Sequence, residues 1–182
     1  MPRYIAFLRA INVSGRNVKM EYLRLKFEEL GFNQVETFIA SGNVFFESPT
    51  LDEPDMVNRI QTRLAESLGF QVPTFLRTDQ QLASIAQYTY TAIPEFNSNS
   101  GRALNVAFLS TQPNEDAISK LFSLKNETDN FIVHKREIYW LCQKKQSEST
   151  FSNAVLEKTM RCQSTMRGIE TIQKMAAKYQ LT

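Results

Sequence analysis

One histidine, two cysteines, six glycines, six prolines and a single tryptophan are what this chain of 182 residues has little of. Cys142 and Cys162 offer one bridge at most, which excludes the disulfide framework that staples small secreted domains. With His134 alone and two distant cysteines, a zinc site would have to rely on carboxylates that show no ligand spacing. No metal and no other cofactor is expected. Glycine and proline are too scarce for a collagen-like or low-complexity chain. No apolar run approaches the roughly twenty residues that cross a bilayer, so a membrane partner is not expected either. Met1, Pro2 and Arg3 lead straight into strand-like residues without the apolar segment and cleavage site of a signal peptide, and the cytoplasm is the expected location.

The chain has room for one large domain or two of about ninety residues, the smaller size being marginal enough that packing against a neighbour would help. The formal charge of +2 is unevenly spread. Residues 1–92 hold nine Lys/Arg against ten Asp/Glu, a net of −1, and residues 93–182 hold twelve against nine, a net of +3. That imbalance permits an anionic partner for the second half without requiring one.

The densest polar stretch follows the first apolar run. Tyr4, Ile5, Ala6, Phe7 and Leu8 are uninterrupted rather than alternating, as in a strand covered on both faces. The loop Asn12–Lys19 comes next and opens a helix whose stripe is Met20, Leu23, Phe27 and Leu30, closed by Gly31 and Phe32. Val35–Ile39 and Val44–Phe46 predict two strands joined across Ala40–Asn43. Asp52 caps a second helix with Glu53 and Asp55 in its first turn and Val57, Ile60, Leu64 and Leu68 as its stripe. It ends at Gly69 and Phe70, repeating the Leu-Gly-Phe ending at Leu30, and a strand follows near Val72. Strand, helix, strand, then strand, helix, strand is the order of the split βαβ, ferredoxin-like plait.

Thr78 and Gln81 form a capping box for a short extra helix, and Pro94, Asn97, Ser98, Asn99, Ser100 and Gly101 then break every period. The second half repeats the order: a strand at Leu104–Leu109, a helix begun by Pro113, and a hairpin of Phe131–Val133 with Ile138–Cys142. A helix capped by Ser152 follows, then a thin strand near Arg161–Thr165, and a last helix presents Ile169, Ile172, Ala176 and Tyr179. The expected architecture is therefore α+β: two tandem ferredoxin-like plaits with antiparallel sheets and additional helices, spanning 1–92 and 102–182 with a linker at 93–101. The sheets of the two halves, or of two protomers, would bury each other, and self-association is one expected property.

Tyr4 through Val13, with Gly15, Asn17, Lys19, Met20, Leu23 and Arg24, resembles the opening of a mostly bacterial family known as domain of unknown function family 1697. Phe27–Phe32 and Ile39–Val44 are similar to the same family, as are Leu156-Glu157-Lys158 and Thr165–Ile172 near the other end. The resemblance implies two ferredoxin-like domains in tandem and no established activity. Three departures stand out. Ser14 replaces a usual second glycine, and Ser149-Thr150-Phe151 lacks the family's lysine. The last motif keeps Arg167 but has lost its asparagines and tryptophan. The C-terminal share of any family site is thus altered in this chain.

Asn12–Lys19 runs into a helix N-terminus, whose unpaired N–H groups and dipole favour an anion. Arg16 and Lys19 add charge, and Ser14 or Asn17 would hydrogen-bond phosphate oxygens; the glycine spacing of a P-loop is missing. Equally, Asn12 and Asn17 would only shape the turn and cap the helix. Ser41-Gly42-Asn43 would offer a ligand an amide, or simply form a tight turn; Ser41 has no activating base in view. The candidate ligand contacts are Arg9, Asn12, Ser14, Gly15, Arg16, Asn17, Lys19, Ser41, Gly42, Asn43 and Arg167, in a cleft for a small anionic or nucleotide-like ligand. No catalytic residue is singled out, since no paired acid and base stand out. His134 is expected as a solvated turn residue and Cys142 as buried packing; Arg161 and Arg167 would acidify Cys162, but no base is in view to make it a reactive thiol. The alternatives are a nucleic-acid module and a protein-interaction module without ligand. The first would use nine bases against four acids between 134 and 178, with Tyr139, Trp140, Phe45 or Phe46 as stacking platforms. The same residues are also explained as core and solvated helix faces.

Overall fold

The computed structural model describes residues 1–13, 15–92 and 102–180, with the side chains of all of these except 89–92. It is an α+β chain of two four-stranded antiparallel sheets and, among the described residues, six α-helices. The chain divides into two compact units, Met1–Leu82 and Ala83–Thr182. The expected linker at 93–101 lies outside the described residues.

In the first unit β1 (Arg3–Leu8), α1 (Met20–Glu29), β2 (Asn33–Phe38), β3 (Asn43–Glu47), α2 (Glu53–Leu68) and β4 (Thr74–Thr78) follow in chain order, with the sheet ordered β2-β3-β1-β4. β1 is central, antiparallel to β3 and to β4, which is the split βαβ connectivity. Its alternate side chains Tyr4, Ala6 and Leu8 join Val44, Phe46 and Leu76 beneath Leu23 and Phe27 of α1 and Ile60 and Leu64 of α2. Phe46 is the hub: its ring lies 5.7 Å from Tyr4, 5.5 Å from Phe27 and 4.4 Å from Phe32. Each such side chain contributes about 1.5–3 kcal/mol by leaving water. Ile5, Phe7, Phe45 and Phe75, on the other side of the sheet, are buried as well. An unbroken apolar strand is what burial on both sides requires.

The helix boundaries follow local chemistry. Asp52 accepts from the Asp55 N–H at 3.0 Å, and Gly69 ends α2 in the left-handed region, its N–H donating to Ala65 O. Thr78 and Gln81 cap each other's backbone, at 2.9 and 3.2 Å, and start α3 (Asp79–Ala92). At fourteen residues it is no short helix.

The second unit repeats the topology with β5 (Ala103–Leu109), α4 (Glu115–Phe122), β6 (Asp129–His134), β7 (Glu137–Cys142), α5 (Asn153–Met160), β8 (Ser164–Gly168) and α6 (Ile169–Lys178), the sheet ordered β6-β7-β5-β8. The last strand lies three residues beyond the expected Arg161–Thr165. Arg161 takes the left-handed region at φ 53° and closes α5, and Glu157 Oε1 accepts from the Ser164 N–H at 2.7 Å, so pairing begins only there. This core is less dry than the first. The Trp140 indole, packed on Phe151, donates to the buried Asp129 Oδ1 at 2.8 Å, and the Ser149 hydroxyl lies 2.8 and 2.9 Å from the two Asp129 carboxylate oxygens.

Candidate functional site

The polar loops of the first unit separate into two groups with different work. Asn12 is a brace: its Nδ2 donates to Ala40 O at 2.9 Å and Val18 O at 3.3 Å, and its Oδ1 accepts from the Val18 N–H at 2.7 Å. Buried Asn43 turns its amide onto Phe38 O at 3.1 Å and Ser41 Oγ at 2.8 Å. Gly42, at φ 74°, donates space: an added Cβ would come within 3.1 Å of Leu8 Cβ and 3.2 Å of Leu8 O. Its own carbonyl accepts from the Leu8 N–H at 2.8 Å. Ile39 beside it also has positive φ, at 49°, a conformation that costs a branched residue about 1–3 kcal/mol. Arg9 is half-buried, its N–H donating to Pro73 O at 2.9 Å. Ser14 lies outside the described residues.

Arg16, Asn17 and Lys19 form the other group. With Val18 and Tyr22 they line a cavity of about 440 Å³ whose far wall is Ser67, Leu68 and Phe70, at the end of α2. The Arg16 guanidinium lies over the Phe70 ring, 4.0 Å from its centre, and the Tyr22 hydroxyl donates to Ser67 O at 3.2 Å. The sequence indicated the Arg16 side of this cavity and missed the other, because Leu68-Gly69-Phe70 reads only as a helix ending. α1 starts at this cavity with Lys19 as N-cap and with no side chain accepting from its first N–H groups. Neither Asn12 nor Asn17 caps it.

Charge distinguishes the same place. Arg24 pairs with Glu21 and Glu28, Lys26 with Glu29 at 2.7 Å, Arg63 with Glu29, and Arg59 with Asp55 at 3.7 Å. The hydrogen bonds from Lys26 and Arg63 hold the Glu29 carboxyl below the ordinary range, as the one from Arg24 does for Glu21. Among the described residues no carboxylate lies within ion-pair distance of Arg16 or Lys19. Two unneutralised cations thus flank an uncapped helix start.

Other expected residues belong to β3 or to the second unit. Arg167 is on β8 of the second unit, buried, with Nη1 donating to Thr165 Oγ1 at 2.9 Å and Met166 O at 2.8 Å; burial pushes its pKa down to about 10. His134 is no solvated turn residue: it ends β6 half-buried, its ring stacked on Tyr88 at 4.3 Å. Burial, then Glu157, raises the Cys162 thiol, which speaks against the alternative of a thiol acidified by its basic neighbours; burial raises Cys142 too. Phe45, Phe46, Tyr139 and Trp140 are all buried, so none is a platform for stacking bases. Among the described residues no group of three or more His, Cys, Asp or Glu could hold a metal ion, and no helix is long and apolar enough to cross a membrane.

Compared with known proteins, residues 1–139 match the family described as "Protein of unknown function (DUF1697)". The structure is similar to that of a conserved bacterial protein from Streptococcus pneumoniae, at a TM-score of 0.74 and 23% identity over 99% of each chain, a likeness of fold. No curated protein matches the chain.

Proposed function

Because the chain belongs to the DUF1697 family, whose description carries no activity, we propose from the first unit's geometry that it binds a small anionic, nucleotide-like ligand at the start of α1. What carries this reading is the coincidence of an uncapped helix N-terminus with two cations that no carboxylate neutralises. The first N–H groups of α1 point at the ligand and its dipole favours negative charge there. Lys19 contributes a point charge and Arg16 a planar fork suited to phosphate oxygens. Leu68 and Phe70 supply an apolar wall for a base or other flat group, and about 440 Å³ falls within the usual range for small-molecule sites. Asn12, Ser41, Gly42 and Asn43 hold the loops behind it rather than touching the ligand. A cytoplasmic location belongs to the same proposal.

Thermal melts against inorganic phosphate and nucleoside mono- and diphosphates test the reading. A ligand present at a hundred times its Kd should stabilise by about 2.7 kcal/mol, which is roughly 5–10 °C for a chain of this size. Arg16→Ala and Lys19→Ala should remove most of that rise, read against each variant's own unliganded midpoint. Flat melts across the panel would refute the proposal.

A further inference from the structure

The second unit contains another helix start that its own side chains leave open. α6 begins after Gly168, whose position as N-cap provides no side chain to accept from the first N–H groups of the ten-residue helix. A cavity of about 250 Å³ opens there, lined by Arg102, Asn105, Gln146, Gly168, Glu170 and Thr171 among others. Asn105 is the informative residue. It sits opposite Gly168 in the β5–β8 ladder and is only 7% exposed, and among the described residues its amide has no hydrogen-bond partner. Its Oδ1 would stand 3.9 Å from a Cβ built on Gly168, so the amide lies over the helix start. The amide lines the cavity, where it can both donate to and accept from a ligand.

The first unit carries different residues at the corresponding ladder positions. There the residue opposite the end of the last strand is Tyr4, paired with Thr78. The Tyr4 ring stacks on Phe46, and Thr78 with Gln81 caps the helix that follows. Tyr4 to Asn105 removes the bulk and Thr78 to Gly168 removes the cap; the buried arginines at the preceding positions, Arg77 and Arg167, are common to both.

We infer that the cavity at the α6 N-terminus is a second binding site, for a small carboxylate-bearing ligand held by the open N–H groups of α6 and the Asn105 amide. The charge of the pocket narrows the class. Arg102 and the helix dipole favour an anion, whereas the Glu170 carboxylate in the first turn repels one, so a monoanion is accommodated better than dianionic phosphate. Glu170 also gives an ammonium group a partner, which makes an amino acid a better fit than a simple fatty or hydroxy acid.

The test uses the full chain labelled with nitrogen-15 and titrated separately with acetate, glycine and inorganic phosphate to millimolar levels. Acetate and glycine should shift the backbone amides of Ile169, Glu170 and Thr171 and the Asn105 side-chain amide saturably, glycine more tightly and phosphate more weakly than acetate. Gly168→Ser, at a backbone conformation open to any residue and with no atom nearer than 3.9 Å to its Cβ, installs the missing cap. It should keep the fold and weaken both carboxylates about tenfold or more, and Asn105→Ala should weaken them similarly. No saturable shift, phosphate binding as tightly as acetate, or undiminished binding in a folded Gly168→Ser protein would each overturn the assignment. Arg16→Ala leaves these shifts unchanged, which separates this site from the one at α1.

Discussion

The two units fold the same order of elements into the same sheet, yet each leaves a different helix start open. In the first, α2 and α3 are capped by Asp52 and by the Thr78–Gln81 pair, while α1 is not capped. In the second, Asn114 caps α4 and Ser152 caps α5, while α6 is not capped. Both open starts border a cavity. A free helix N-terminus is an unsatisfied cluster of donors, and among the described residues side chains cap four of six helix starts and leave the other two to water or a ligand. The cores differ as well. An aromatic cluster around Phe46 fills the first, whereas a carboxylate, Asp129, is enclosed in the second by Trp140 and Ser149.

The largest effects should come from that contrast in the cores. Phe46→Ala removes the hub ring and should cost about 3–5 kcal/mol, read by denaturant unfolding, with hydrogen exchange rising first in the first unit. Asp129→Ala leaves the Trp140 N–H and the Ser149 hydroxyl without their acceptor and should cost about 2–4 kcal/mol, with exchange rising in the second unit instead. Equal exchange in both units after either change would show that the two cores do not behave separately.

Next in size is the loop brace. Asn12→Ala removes two hydrogen bonds within the loop after β1 and one that joins it to the loop before β3, and should cost about 1–3 kcal/mol by the same measurement. Smaller again is the cap: Thr78→Ala should cost about 1 kcal/mol by the same measurement.

What could be read from the sequence, and what could not, divides along the range of the interactions. The caps at Asp52, Thr78 and Ser152 and the left-handed glycines at 31 and 69 are set by residues within one turn, and each appears where the spacing predicts it. The apolar stripes and the strand order of both plaits were equally legible. The start of β8 was not, because nothing in Arg161-Cys162-Gln163 announces that Arg161, an unbranched but bulky residue, will take the left-handed region and extend the turn. Arg16 and Lys19 were legible as cations beside a helix start. Their cavity was not, since its other wall comes from Ser67–Phe70, some fifty residues along the chain. Asn105 went unnoticed altogether: an asparagine within Leu104–Leu109 looks like a flaw in a strand until its partner in the ladder is known to be a glycine.

The most direct measurement is a nitrogen-15 titration of the full chain with inorganic phosphate and a nucleoside diphosphate, following the backbone amides that begin each helix. The amides of Met20, Glu21 and Tyr22 should move saturably, those at the capped start of α3 should stay still, and Arg16→Ala with Lys19→Ala should abolish the movement. Stationary amides at Met20–Tyr22, or equal movement at capped and uncapped starts, would contradict an anion site at α1.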